Sequence, residues 1–405
     1  MPTRYGVSGW IHQFPSSKVP SFPRFRGECT ADVVVIGAGL TGCAAAHACA
    51  AAGLTTILLE RGRVGQGRTG RSAGMLSPDP GPAFRDIAAA HGLASARRVF
   101  EAWRRGALDG AALLRRLRIP CALDPREALV VAGAADERLL RREYDARHAA
   151  GLDGAWLTRP QMHSRLKAEA AAALRLRDAF AFDPYRACLG LARAAVRRGT
   201  ACFERSPVTR VRFTRRFADV ITGGGRIRAR KVIVATGSAT PEFKSLQRHL
   251  DPREAYVVVT ECMPAAMRRE LAHPRVILRD LRVPPTRVSR THDDRLVIAG
   301  GDQPETPPRT KATAIVQRTG QLMYEVLKTY PAILGLRPAY SWDTAYGETA
   351  DGLMYIGAHR NYPHHLFAIG GGAHSVTGAF VAARILVRAV QDAPEKEDEV
   401  FGWTR

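Results

Sequence analysis

The stretch ADVVVIGAGLTGCAAAHACAAAG, followed closely by TTILLE, constrains this chain more than any other. Residues 33–36 form a short apolar run, which reads as a strand buried on both faces. Gly37, Gly39 and Gly42 then give the spacing G-x-G-x-x-G. A helix of small side chains follows and ends at Gly53 as its C-cap. A second apolar strand closes on Glu60. Each position has a physical task. Gly37 permits the tight turn, Gly39 lets backbone approach a pyrophosphate, and Gly42 lets the helix pack against its strand. Ala38, Leu40 and Thr41 complete the turn and open the helix, whose N-terminus faces negative charge. Glu60 is placed to accept ribose hydroxyls. The unit predicts a Rossmann-like dinucleotide site in an α/β fold, without separating NAD from FAD.

The rest of the chain separates them. RGRVGQGRTGRSAGML, residues 61–76, is a second stretch rich in glycine and small residues. In two-domain flavoproteins such a stretch runs along the pyrophosphate towards the flavin ring. VIVATG, residues 232–237, reads as a strand crossing near the adenine. IGGGAHSVTGAF, residues 369–380, brings a further helix N-terminus beside the cofactor. A dehydrogenase using diffusible NAD has no need of these segments.

In order, ADVVVIGAGLTGCAAA, VGQGRTGRSAGML, VTRVRF with VIVATG, ETADGLMYIG and LFAIGGGAHSVTGAFVAARIL resemble the D-amino-acid-oxidase-like FAD-dependent oxidoreductases. The branch most resembled holds the glycine, sarcosine and γ-glutamylputrescine oxidases, and the likeness runs over residues 28–392. It implies an α/β fold with a discontinuous, three-layer FAD-binding domain and an inserted α+β substrate domain whose sheet roofs the flavin. The boundaries expected are an N-terminal arm at 1–29, the FAD-binding domain at 30–80, 180–242 and 345–392, the substrate domain at 81–179 and 243–344, and a charged C-terminal tail at 393–405. Trp10, Phe14 and Phe22 are the expected anchors of the arm.

The resemblance also assigns residues. Gly37 to Gly42 would hold the pyrophosphate and Glu60, with Arg61 beside it, the adenosine ribose. Gly67, Arg68, Thr69, Ser72, Ala73 and Gly74 would line the path to the flavin. Val208 would meet adenine through its backbone, with Thr236 and Gly237 on the same side. Gly370, Gly371, Gly372, Ala373, His374, Ser375, Val376 and Thr377 would approach the isoalloxazine, and their helix dipole would stabilise negative charge on reduced flavin.

Three departures matter. Thr344 stands where some relatives carry the cysteine that bonds flavin, so FAD is expected to be non-covalent. Tyr346 and Ala373 stand at about the positions where glycine oxidases clamp the substrate carboxylate with arginines. An uncompensated carboxylate in a closed pocket is costly, which argues against a free α-amino acid. Arg287 or Arg290 would supply a replacement charge, against the plainer reading of both as solvent-facing strand residues. His374 would touch substrate or tune the flavin, the alternative being a packing role at the turn. Trp342, Tyr346 and Tyr355 form an aromatic group read either as core or as a pocket wall. The catalytic residues expected are His374 and Tyr346.

Bulk properties limit partners and location. The 405 residues carry a formal net charge of +22, and of 60 basic residues 53 are arginine and only seven lysine. That skew reads as codon bias, with an acidic partner such as nucleic acid as the sharper alternative. Seven cysteines without a C-x-x-C suggest neither a disulfide framework nor a zinc site. The cytoplasm is the expected location, with no signal peptide and no membrane span. The function expected is oxidation of a C–N bond in an amine or amino acid, passing electrons to O₂ or another acceptor, with no metal. Two alternatives stand beside it: an enzyme acting on an amine carried by tRNA, and a non-catalytic flavin-binding regulatory protein.

Overall fold

Val33, Val34 and Val35 are all fully buried, because the strand Gly27–Ile36 runs through the middle of a sheet. Its neighbours Thr56–Leu59 and Gly225–Gly237 are both parallel to it, which accounts for an unbroken apolar run instead of an alternating one. In a computed structural model, which describes residues 2–166, 170–271 and 275–405, the order across this sheet is Tyr355–His359, Tyr362–Ile369, Gly225–Gly237, Gly27–Ile36, Thr56–Leu59 and Ala201–Phe203. The helices Leu40–Ala51, Pro184–Arg197 and Ser375–Val390 cover one face. The antiparallel strands Val208–Phe213 and Ala218–Thr222 extend from Gly225–Gly237 and cover the other face with Phe25, Phe243 and Leu246. The unit is therefore three-layered.

A second, mostly antiparallel sheet runs in the order Arg4–Tyr5, Pro338–Glu348, Asp251–Thr260, Leu296–Pro304, Arg287–Arg290, Val276–Asp280, Asp124–Ala132, Ala172–Ala181 and Met75–Leu76. Its outer face packs on the helix Lys311–Thr329 through Tyr256, Val258, Ile298 and Leu322. Its inner face, with Val257, Val259, Val297, Ala299 and Trp342, closes on Ala73 and Met75. The helix Leu93–Arg116, placed by the sequence reading with the substrate domain, packs on Ser375–Val390 and shares the core of the dinucleotide unit. Its buried stripe of Val99, Phe100, Trp103, Ala107, Ala111 and Leu114 explains this.

The arm crosses the flavin-side segment. Ser8 Oγ donates to Gly70 O and Trp10 Nε1 to Ser72 O at 2.9 Å, while Trp342 Nε1 of the roof strand donates to Arg71 O at 2.8 Å. Phe14 and Phe22 pack against the core as well. The charged stretch at the C-terminus is docked: Phe401 is buried, Trp403 stacks on Tyr355 at 4.3 Å, and Arg405 Nε reaches Asp351 Oδ2 at 2.7 Å. One helical stretch, Gly372–Val390, is long and apolar enough to cross a bilayer, with a mean hydropathy of 1.3, which the sequence reading did not anticipate. In the fold it packs between Leu40–Ala51 and Leu93–Arg116 as a core helix, with Val381, Ala382 and Leu386 fully buried.

His365 is fully buried among Phe213, Phe243 and Phe367. Neither ring nitrogen has a hydrogen-bond partner among the described residues. Burial, then the neighbouring His364, pulls it from 6.5 down to about 4. The neutral ring is the folded form, whereas the unfolded chain takes up a proton near 6.5. This stability is therefore whole above pH 6.5 and is lost as pH falls towards 4. At about 1.4 kcal/mol per pH unit, the loss is at most ~3 kcal/mol. Melting temperatures measured across this window should fall less for His365→Phe than for the wild type; equal losses would mean that another group controls acid stability.

Candidate active site

Between the two sheets runs a groove of about 850 Å³. At one end the helix Leu40–Ala51 begins at Gly39, which offers no side-chain cap, and no acid stands in its first turn. Gly42 makes the helix's approach possible: a Cβ there would lie 1.8 Å from Gly37 O. Leu40 N–H donates to Thr69 Oγ1 at 2.8 Å, tying the two glycine-rich segments together. The Glu60 carboxylate accepts from Ala38 N–H at 2.9 Å and Gly62 N–H at 2.8 Å, which fixes its orientation on the groove wall. Further along lie Arg61, Gly67, Arg68, Thr69, Ser72, Val208, Thr236 and Gly237. At the other end the helix Ser375–Val390 also starts without a side-chain cap or an acid in its first turn, beside Gly371, Ser375 and Val376.

Two uncapped helix N-termini, a half-buried cation at Arg68 and a carboxylate held on the wall would suit FAD, with its ribose at Glu60, its pyrophosphate at the first helix and its ring at the second. Arg68 donates to Gly237 O at 3.1 Å and Gly372 O at 3.0 Å, so it joins the two turns. Burial lowers it to about 10, which leaves it charged at neutral pH. Ala38, Gly42 and Gly370 shape the turns without lining a cavity. Sequence reasoning did not single out Arg71, Lys311 or Asp343, which also line the groove. They are linked through Arg71–Asp343 at 3.1 Å and Lys311–Asp343 at 3.0 Å.

The ring end opens into an inner cavity beneath the roof sheet. Ala73, Gly372, Ala373, His374, Thr377, Thr344 and Tyr346 line it, with Ala128, Ala255, Val257, Ile277 and Ala299 from the roof. One feature decides between two readings that the sequence left open, and two more were not read from it. Arg287 is buried, 9% exposed, and faces this cavity, which corrects its reading as a solvent-facing strand residue. Its Nη1 lies 3.3 Å from His374 Nε2, and no carboxylate pairs with it among the described residues. Arg279, the second cation, donates to Asp79 Oδ1 at 2.9 Å and to Gly81 O. Arg147 holds the other Asp79 oxygen at 3.0 Å. Burial alone would raise the Asp79 carboxyl; Arg147 and then Arg279 outweigh it and hold it below its ordinary value. Gly81 has φ +112°, and a Cβ there would meet the His374 ring at 2.5 Å. Only glycine lets this loop close over the imidazole.

Burial, then Arg287 and Arg279, hold His374 well below its ordinary value, so the ring is neutral at physiological pH. Tyr346 donates its hydroxyl to Asp302 Oδ1. Burial, then the Asp302 charge, keeps this phenol protonated. Of the three aromatics grouped from the sequence, Tyr346 alone lines the cavity. Trp342 is core, and Tyr355 stacks on Trp403. Arg290 turns away and pairs with Asp294 at 2.9 Å. Among the described residues no group of three or more metal-ligating side chains converges.

Comparison with known proteins agrees with this geometry. The chain is 25% identical over 394 residues to gamma-glutamylputrescine oxidoreductase of Escherichia coli, covering 95% of this chain and 89% of that protein. It is 27% identical over 393 residues to glycine oxidase of Bacillus licheniformis, covering 89% and 94%. Its fold resembles the crystal structure of glycine oxidase from Geobacillus kaustophilus, with a TM-score of 0.78 at 20% identity over 93% of this chain and 99% of that one. Residues 32–389 match the family described as FAD dependent oxidoreductase, and with a groove whose every feature suits that dinucleotide, the chain belongs to this family of FAD-dependent oxidoreductases.

Proposed function

We propose that this oxidoreductase oxidises the C–N bond of an amine that also carries a carboxylate, and that Arg287 receives the carboxylate. The observation behind this reading is the buried Arg287 guanidinium, with His374 as its one hydrogen-bond partner and no carboxylate paired to it among the described residues. A buried cation without a counter-ion is costly, and a substrate carboxylate removes that cost. Arg279 does not compete for this role, because Asp79 and Gly81 already hold it. The relatives named for glycine and for gamma-glutamylputrescine point to the same class of compound.

When bound, FAD supplies the hydride acceptor for the substrate carbon. The chain's own residues bind, orient and shield. Arg287 fixes one end of the substrate. The Ala255, Val257 and Ala299 face of the roof excludes water from the reacting carbon. Neutral His374 adds no third positive charge beside the two arginines, and Tyr346 is committed to Asp302. The cavity acid Asp79 is held by two arginines, so no cavity carboxylate is free to take a proton from an ammonium. The amine therefore reacts once it is already neutral, through its lone pair. FAD is held without a covalent bond, since Thr344 has no sulfur to offer.

Anaerobic mixing with a panel of amines and amino acids, followed by flavin absorbance, tests this reading. Carboxylate-bearing amines should bleach the flavin faster than the corresponding amines without the acid. The reduction rate should climb with pH until the amine's own pKa is passed. Equal rates for acids and plain amines would remove Arg287 from the reading, and a flat pH profile would mean that a cavity group, with neutral His374 first in line, takes the amine's proton.

A further inference from the structure

Two strands of the roof carry a pair of like charges. Val276–Asp280 and Arg287–Arg290 run antiparallel, and Arg279 stands directly opposite Arg287. Opposed residues share a face of the sheet, with Cβ atoms about 5 Å apart. Both arginines accordingly line the inner cavity. Like charges so placed repel, and the fold relieves only one of them. Asp79 Oδ1 accepts from Arg279 Nη1 at 2.9 Å, whereas no carboxylate meets Arg287 among the described residues. The remaining cavity arginine, Arg68, is turned to Gly237 O and Gly372 O at the ring end.

Asp79 is firmly held. It is 2% exposed and lines the same cavity. Arg147 donates to its Oδ2 at 3.0 Å, and Gly81 N–H to its Oδ1 at 2.8 Å. Arg147 is fixed in turn by Glu143 at 2.7 Å. Just upstream, Ser77 is tied to the helix Ser375–Val390. Its N–H donates to Thr377 Oγ1 at 2.9 Å, and its carbonyl accepts from that hydroxyl at 3.0 Å. An incoming carboxylate would have to displace Asp79 from two arginines and a backbone N–H, so it does not win Arg279. Asp79 offers Arg279 what a substrate carboxylate offers Arg287: an anionic oxygen against a guanidinium.

We propose that the inner cavity is built with two carboxylate positions, at Arg287 and at Arg279, and that Asp79 permanently fills the second. A substrate with one carboxylate at this end is paired by Arg287. A second carboxylate beside it would face Asp79 with no cation left to it, and an unpaired buried anion is costly. Asp79 is thus a specificity residue that works by exclusion. The enzyme takes amines with a single carboxylate and refuses those whose two carboxylates lie close together.

This role rests on the reading of Arg287 as the carboxylate receiver, and the test separates the two. Oxidised holoenzyme is titrated at constant ionic strength with acetate and with oxalate, in which a second carboxylate replaces the methyl, while flavin absorbance is followed. No binding of acetate by the wild type, or equal binding by Arg287→Met, counts against Arg287 and so against the function proposed above. The wild type should bind acetate about tenfold or more tightly than oxalate, because the second carboxylate meets a like charge. Asp79→Asn should tighten oxalate about 10- to 100-fold, since Arg279 then offers it a charge-assisted hydrogen bond. The same change should return acetate binding to Arg287→Met. Asp79→Asn combined with Arg279→Met should bind oxalate no better than the wild type, which ties the gain to Arg279. Where Asp79→Asn yields no folded holoenzyme, its combination with Arg147→Met, which removes one charge of each sign, decides. With acetate binding dependent on Arg287, the proposal is overturned if the wild type binds oxalate as tightly as acetate. It is overturned equally if loss of the Asp79 charge leaves oxalate affinity unchanged.

Discussion

Arg287→Met should lower kcat/KM for a carboxylate-bearing substrate about 100- to 1000-fold while the protein stays yellow. Truncating one partner of a buried, hydrogen-bonded charge pair costs roughly 2–5 kcal/mol, and each 1.36 kcal/mol is about a factor of ten in rate. FAD should be retained because Arg287 lies in the roof and not along the dinucleotide groove. The substitution also removes one of the two arginines that hold His374 below its ordinary value. The imidazole should then titrate closer to neutrality, and an inflection absent from the wild type should enter the pH profile. Steady-state kinetics with the ratio of flavin to protein absorbance measures both effects. Unchanged kinetics would show that the substrate leaves Arg287 unpaired.

Gly42→Ala should yield protein that is largely free of flavin and markedly less stable. The added Cβ would sit 1.8 Å from Gly37 O and 3.0 Å from Gly37 C. Both are backbone atoms of the turn that the pyrophosphate must approach, so neither can swing aside as a flexible side chain would. The helix must then move off its strand, which takes its N-terminus from the groove. A loss of more than about 4 kcal/mol is expected, a range that overpacking against fixed backbone is among the few mechanisms to reach. Gly67→Ala is the control: it lies on the same groove, yet a Cβ there meets nothing within 4 Å. Flavin content after gel filtration and a thermal melt separate the two. An FAD-loaded Gly42→Ala protein would mean that the turn relaxes more than its packing suggests.

The strand-turn-helix-strand unit was legible because it is local. It carries Gly37, Gly39, Gly42 and Glu60 on one turn and the strand beside it, where their spacing placed them. The substrate half was not. Asp79 meets Arg279 from 200 positions away, and Arg287 meets His374 from 87 positions away. The alternation in TRVSR was also misleading. In a sheet with one wet face, Val288 would point inward and Arg287 out. Here the outer face is covered by the helix Lys311–Thr329, and Val288 packs there. Arg287 consequently points to the cavity beneath. With both faces buried, polarity along the strand no longer tells which side holds the chemistry.

The strand order of the parallel sheet has a bearing on how the protein is made. Gly27–Ile36 leaves the ribosome before its partner Gly225–Gly237, which comes some two hundred residues later, and Tyr362–Ile369 comes later still. The second helix N-terminus of the groove, at Ser375, follows the first, at Leu40, by more than three hundred residues. A nascent fragment that lacks the later helix cannot enclose a dinucleotide. Capture of the cofactor must wait for that helix, and until then the apolar faces of the earlier strand stand open. Long-range pairing of this kind slows folding and lengthens exposure to aggregation. Supply of the flavin once the later helix has emerged then decides how much of the product becomes holoenzyme.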